Sequence, residues 1–117
     1  MVNSEKILAE TMDKLPELEG IILNQGSKIV AAKTIFEDIN DQEAAQQAIQ
    51  AASAAAMLSQ TLGKGALDEI SIIFEEGLAI IMGQGDFVLT AIGGVDARTS
   101  LGVLKLNLRR CLTRLLE

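Results

Sequence analysis

The sequence predicts an α/β domain of three layers, with helices on both faces of an antiparallel sheet. Three observations carry that expectation. Apolar periodicity alternates between helical and strand-like spacing in the order α-β-β-α-β-β-β-α. The strand segments are apolar on both sides, so both sides of the sheet need a covering layer. The 117 residues show no linker, repeat or low-complexity tail, which makes residues 1–117 a single domain.

A first helix runs from Ser4, its expected cap, to about Leu15, with Ile7, Leu8, Met12 and Leu15 in one stripe. Pro16 disfavours helix at the residue before it, and Glu17-Leu18-Glu19-Gly20 turns the chain. Ile21-Ile22-Leu23 and Lys28–Ala32 read as strands joined by a hairpin turn, Asn24-Gln25-Gly26-Ser27. Thr34–Asn40 connects to a long helix from about Gln42 to Leu62, capped by Asn40 or Asp41 and ended by Gly63-Lys64-Gly65. A meander follows, with strands Glu69–Phe74, Leu78–Gly83 and Phe87–Ile92 and tight turns between them. A loop, Gly93–Arg98, leads to a last helix capped by Thr99 or Ser100. The long helix is expected on one face of the sheet, and the first and last helices on the other. A meander this short cannot cover its own edge.

Composition narrows the function. The apolar fraction is 49% and the net charge −6, with a mean hydropathy of +0.30. So apolar a small chain points to an interface between subunits. The acidic balance argues against nucleic acid as the main partner. No apolar run approaches the ~20 residues that cross a bilayer. The opening residues predict no secretion signal, so the expected location is cytoplasmic. Cys111, the single cysteine, reads as a small buried hydrophobe. No histidine is present, which excludes His-based catalysis and His metal sites, and one cysteine excludes a multi-thiolate zinc site. Gly63-Lys64-Gly65 lacks the spacing and hydroxyl of a phosphate-binding loop, and Gly83-Gln84-Gly85 lies in a hairpin. The expectation is a protein that is not an enzyme and carries no cofactor.

The long helix is the main candidate for binding. Its apolar residues cover close to half the circumference, wider than one sheet contact needs. One flank, Ala51, Ala55, Leu58 and Leu62, is expected on the sheet. The other, Ala45, Ile49, Ala52 and Ala56, is expected against a second helix, such as that of a partner subunit. The remaining face, Gln46, Gln50, Ser53, Met57 and Gln60, is polar but uncharged. It is either a protein-binding surface or a solvated one. In the last helix Leu101, Leu104, Leu108, Leu112 and Leu115 form the core stripe. Gly102 implies a close neighbour, and Val103 and Leu106 are expected on the first helix. Arg109, Arg110 and Arg114 suit the helix dipole or an acidic partner.

Several local patterns resemble the roadblock/dynein-light-chain domain. Leu15-Pro16-Glu17-Leu18-Glu19-Gly20-Ile21-Ile22-Leu23 is similar to that family's lead into its first strand, with Gly26 as the hairpin glycine. Leu62-Gly63 matches the end of its long helix, and Leu101–Arg110 its closing helix. The resemblance implies a profilin-like sheet of order 2-1-5-4-3. It also implies dimers in which third strands pair edge to edge through Glu69, Ser71 and Ile73 and the long helices lie antiparallel. Members of the family bind Ras-like small GTPases as activators or scaffolds, or link cargo as light chains. The expected function is therefore a homodimeric GTPase regulator or scaffold. The alternatives are a small-ligand sensor and a purely structural light-chain adaptor. A sensor needs inward polar groups, whereas the inward positions here read as aliphatic.

Overall fold

A computed structural model describes residues 3–36 and 38–117; the Met1-Val2 opening and Glu37 of the connection lie outside the described residues. Helix α1 (Ser4–Lys14) is followed by strands β1 (Leu18–Gln25) and β2 (Lys28–Thr34), then helix α2 (Asp41–Thr61). Strands β3 (Glu69–Phe74), β4 (Gly77–Gln84) and β5 (Phe87–Gly93) form the meander, and a 3-10 helix (Val95–Ser100) runs directly into α3 (Leu101–Leu115). The five strands make one antiparallel sheet of order β2-β1-β5-β4-β3, as the sequence resemblance implies.

Side-chain chemistry sets the boundaries. The cap of α1 is Asn3, one residue before the expected Ser4, and its Oδ1 accepts the Lys6 amide at 3.1 Å. Asn40 caps α2 in the same way, accepting the Glu43 amide at 3.0 Å. The residue before a helix, in extended backbone, can present its side-chain oxygen to the free amides of the first turn. Asn24 and Gln25 extend β1 rather than forming the turn, which narrows to Gly26-Ser27; Gly26 has φ +58°. Ser100 makes no side-chain cap to α3, because the 3-10 helix already continues into it.

Helices α1 and α3 cover one face of the sheet. Ile7, Leu8, Met12 and Leu15 meet Leu104, Leu108, Leu112 and Leu115 over Ile21, Leu23, Leu78, Ile80, Met82 and Leu89 in one continuous core. Each fully buried aliphatic side chain contributes about 1.5–3 kcal/mol relative to exposure. Arg114 pairs with Glu10 across the two helices at 3.0 Å, and Arg109 reaches Asp68 at 3.1 Å and Glu69 at 3.6 Å. These arginines therefore clamp α3 to α1 and to the start of β3. Two expectations for α3 are corrected. Val103 and Leu106 are exposed rather than packed on α1. Nothing among the described residues lies within 4 Å of a Cβ built on Gly102, so the expected close neighbour is not found. The α1–α3 stripe falls at the expected positions, while Val103 and Leu106 lie on the solvent side of α3.

Two glycines make opposite tests of this packing. A Cβ on Gly77 would collide with the Gly93 carbonyl oxygen, a backbone atom that cannot swing aside. Gly77→Ala is expected to lower stability by about 1–3 kcal/mol through overpacking. Gly102→Ala meets open space and is expected to raise it, by up to about 1 kcal/mol of helix propensity. Urea unfolding measures both.

Candidate functional site

The other face of the sheet is covered by α2 alone, and incompletely. Helix α2 lies over β1, β2, β4 and β5. It reaches the sheet through its smallest side chains: Ala45 and Ala48 are buried, while the C-terminal half carries Met57, Leu58 and Leu62 at 67%, 59% and 59% exposure. A 21-residue helix is ~31 Å long, against ~26 Å for the eight-residue strands beneath it. The helix closes on the sheet through alanine at one end and overhangs with leucine at the other.

This corrects the expected placement of Ala45, Leu58 and Leu62. Ala45 is fully buried inside the protomer, so it cannot meet a second copy. Ile49, Ala52 and Ala56 are half-buried on the same side of the helix. Leu58 and Leu62, expected on the sheet, point to solvent, while Ala51 and Ala55 are half-buried on their flank. The cause is side-chain volume: the helix can approach only along its alanines, and the larger residues turn outward. The signal for this in the sequence is a helix with alanine at one end and leucine at the other.

Along the leucine flank a groove of about 500 Å³ opens between the N-terminal half of α2 and strands β3 to β5. Ala44, Ala48 and Ala51 form one wall, Ile72 and Phe74 the other, and Ile81, Thr90 and Ile92 the floor. The interior on this side is not wholly aliphatic, contrary to expectation. Asn24 and Thr90 are buried here, and neither side chain has a hydrogen-bond partner among the described residues. Asn24 reads from the sequence as a turn residue, and Thr90 sits among the apolar residues of β5, so strand periodicity alone does not single out either as an inward polar group.

Strand β3 borders the groove and is the last strand of the sheet, with no strand on its outer side among the described residues. Alternation along it puts Ile70, Ile72 and Phe74 toward α2, and Glu69, Ser71 and Ile73 toward α3. Ser71 and Ile73 are exposed, and Glu69 is held by Lys105 and Arg109. Gln46, Gln50, Ser53, Met57 and Gln60 are all exposed on α2, with no charged side chain among them. No three His, Cys, Asp or Glu side chains among the described residues are grouped to hold a metal ion, and no helix is long and apolar enough to cross a membrane.

Cys111 lies between α3 and α1. Burial pushes its thiol above the ordinary value, and the Thr11 hydroxyl and Arg114 pull less strongly the other way. The thiol therefore stays protonated near neutral pH, and the thiolate is the reactive form. In the native protein at pH 7.5, maleimide or Ellman's reagent is expected to label Cys111 far more slowly than in urea; equal rates would contradict the buried placement.

Compared by sequence, the chain matches no family model and no curated relative. Compared by structure, it is similar to MglB of Myxococcus xanthus, with a TM-score of 0.84 at 16% identity over 96% of this chain and 90% of that one. It is also similar to a roadblock/LC7 domain from Streptomyces avermitilis, with a TM-score of 0.78 at 12% identity over 97% and 98%. The gliding protein MglB of Thermus thermophilus gives 0.77 at 19% identity over 98% and 90%. The fold is that of the roadblock/LC7 domains.

Proposed function

We propose that two copies of this chain pair through β3 and the leucine flank of α2, and that the pair regulates or scaffolds a Ras-like small GTPase. One observation carries the pairing. An unpaired edge strand, two exposed leucines and an open apolar groove all lie on the same side of the protomer. A two-fold interface must be self-complementary. Here the large side chains sit at the C-terminal end of α2 and the groove at its N-terminal end. With the helices antiparallel, Leu58 and Leu62 of the partner subunit enter the groove beside Ala44, Ala48 and Ala51. Strand β3 then pairs with its copy through Glu69, Ser71 and Ile73, which extends the sheet and removes its open edge. Ile49, Ala52 and Ala56 face away from the groove and drop out of this contact.

The GTPase reading rests on the roadblock fold together with the sequence resemblance. The surface we assign to the GTPase is the uncharged row Gln46, Gln50, Ser53, Met57 and Gln60. Desolvating it removes no ion from water, and methionine adapts to irregular partners. A standard interface takes about 800 Å² from each side, more than one helix face supplies, so pairing would precede GTPase binding. The chain contributes no catalytic group of its own in this reading. Any effect on hydrolysis acts by holding the GTPase's own residues in place.

Light scattering is expected to give twice the 12.5 kDa of one chain. Leu58→Glu should give the monomer mass with an unchanged fold, since the residue is exposed in the protomer. A wild-type mass of 12.5 kDa at micromolar concentration refutes the pairing. Met57→Lys should leave the dimer and its melting temperature unchanged while weakening binding to a GTP-analogue-loaded Ras-like GTPase by roughly tenfold, as a lost hot-spot contact would. Unchanged affinity would move the contact to the outer face of α3, near Lys105 and Arg109.

A further inference from the structure

A second surface lies at the end of the sheet where β1 begins, and it is fixed by backbone hydrogen bonds. The Ile35 amide donates to the Glu19 carbonyl at 2.9 Å, and the Gly94 amide donates to the Glu17 carbonyl at 3.2 Å. These bonds tie the segments after β2 and β5 to the start of β1. They place Ile35 and Val95 along a groove of about 250 Å³. Ile35 is 60% exposed and Val95 53%. Two aliphatic side chains are thus held in water by an ordered backbone, on segments that could have turned them inward had the core required them.

The rim of this groove is acidic. Glu17, Glu19 and Asp96 line it, no lysine or arginine does, and none of the three is in an ion pair among the described residues. Gly94 gives Glu19 its place, because a Cβ there would meet Glu19 Oε2 at 3.0 Å. Among the described carboxylates only Glu10, Asp68 and Glu69 form ion pairs, so what sets Glu17, Glu19 and Asp96 apart is their place around two exposed aliphatic side chains. The groove adjoins β1, β2 and β5, away from the β3 edge. Glu19 also borders the groove beside α2, whereas Glu17, Ile35, Val95 and Asp96 do not, so the pairing proposed above leaves those four uncovered.

We propose that this groove docks a basic segment of another protein, with one aliphatic side chain seated between Ile35 and Val95 and lysine or arginine on either side of it. Charge selects that occupant. A second copy would bring a net −6 and the same three carboxylates, and an anionic lipid surface would be repelled in the same way. Lysine or arginine in the docked segment gives the carboxylates the charge-assisted partners they lack, while the aliphatic anchor supplies the non-ionic part of the affinity.

The test uses the full chain, labelled with nitrogen-15, and three synthetic twelve-residue peptides. The first has lysine and arginine around a central Leu-Ile pair. The second replaces each basic residue with glutamate, and the third replaces the Leu-Ile pair with serine. The first peptide is expected to shift the amides of Glu17, Glu19, Ile35, Val95 and Asp96, and to bind more weakly as sodium chloride rises. Ile35→Ser should raise its Kd roughly tenfold, and Glu19→Gln by a few-fold, with melting temperatures close to wild type because both side chains are at the surface. Equal affinity for the first and third peptides would reduce the surface to diffuse acidity and overturn the proposal. Shifts centred on α2, or tighter binding of the glutamate peptide, would overturn it as well.

Discussion

Strand β3 is the constraint on which the rest of the molecule turns. It is the outermost strand, its α2-facing side carries Ile70, Ile72 and Phe74, and α2 does not reach across to cover it. An edge strand with free backbone groups and an apolar face is a template for another strand. Natural sheets blunt such edges with lysine, proline or a bulge. Here β3 has none of these, and Glu69 is turned toward α3 by its arginine partner. The exposed leucines of α2 and the groove beside them lie next to this edge, so one contact can bury all three features.

The two faces of the sheet solve the same problem by different means. On one, α1 and α3 contribute interlocking leucines and methionine, and ion pairs tie the helices to each other and to β3. On the other, a single helix approaches through alanine. Small side chains let α2 lie close, but they bury little area each, and hydrophobic stabilisation scales with that area. The cost of the arrangement is a partly open layer over Thr90 and Ile81. It leaves the surface that the pairing proposed above would complete. The remaining face of α2 stays outside that contact and stays free of charge.

Strand and helix order, the caps at Asn40 and Gly63, and the α1–α3 core are legible in the sequence, because each rests on neighbours a few residues apart. The roadblock-like order of the sheet follows from a resemblance, since periodicity says which residues are strands but not which strands are adjacent. The orientation of α2 is not legible in the same way. Ala45 and Leu58 lie on opposite flanks of a helix that is apolar over nearly half its surface, and such a helix has no single preferred face. Only contact with the sheet breaks that tie, and it does so through side-chain size. Ile35 and Val95 are hidden for a related reason: they sit in connections, where no periodicity marks them, and only backbone bonds to the Glu17–Glu19 segment bring them together. Asn24 is hidden because it reads as part of the hairpin turn, and Thr90 because it lies in an otherwise apolar strand.

The account depends on β3 being an internal strand of the functional assembly. Amide hydrogen exchange measures that most directly, because the amides of Glu69–Phe74 that do not bond to β4 have no other partner in the protomer. In a concentrated wild-type sample those amides should exchange slowly, as slowly as their neighbours bonded to β4, and they should lose that protection on dilution or in the Leu58→Glu variant. Rapid exchange of the outward β3 amides in the concentrated wild-type protein would contradict it.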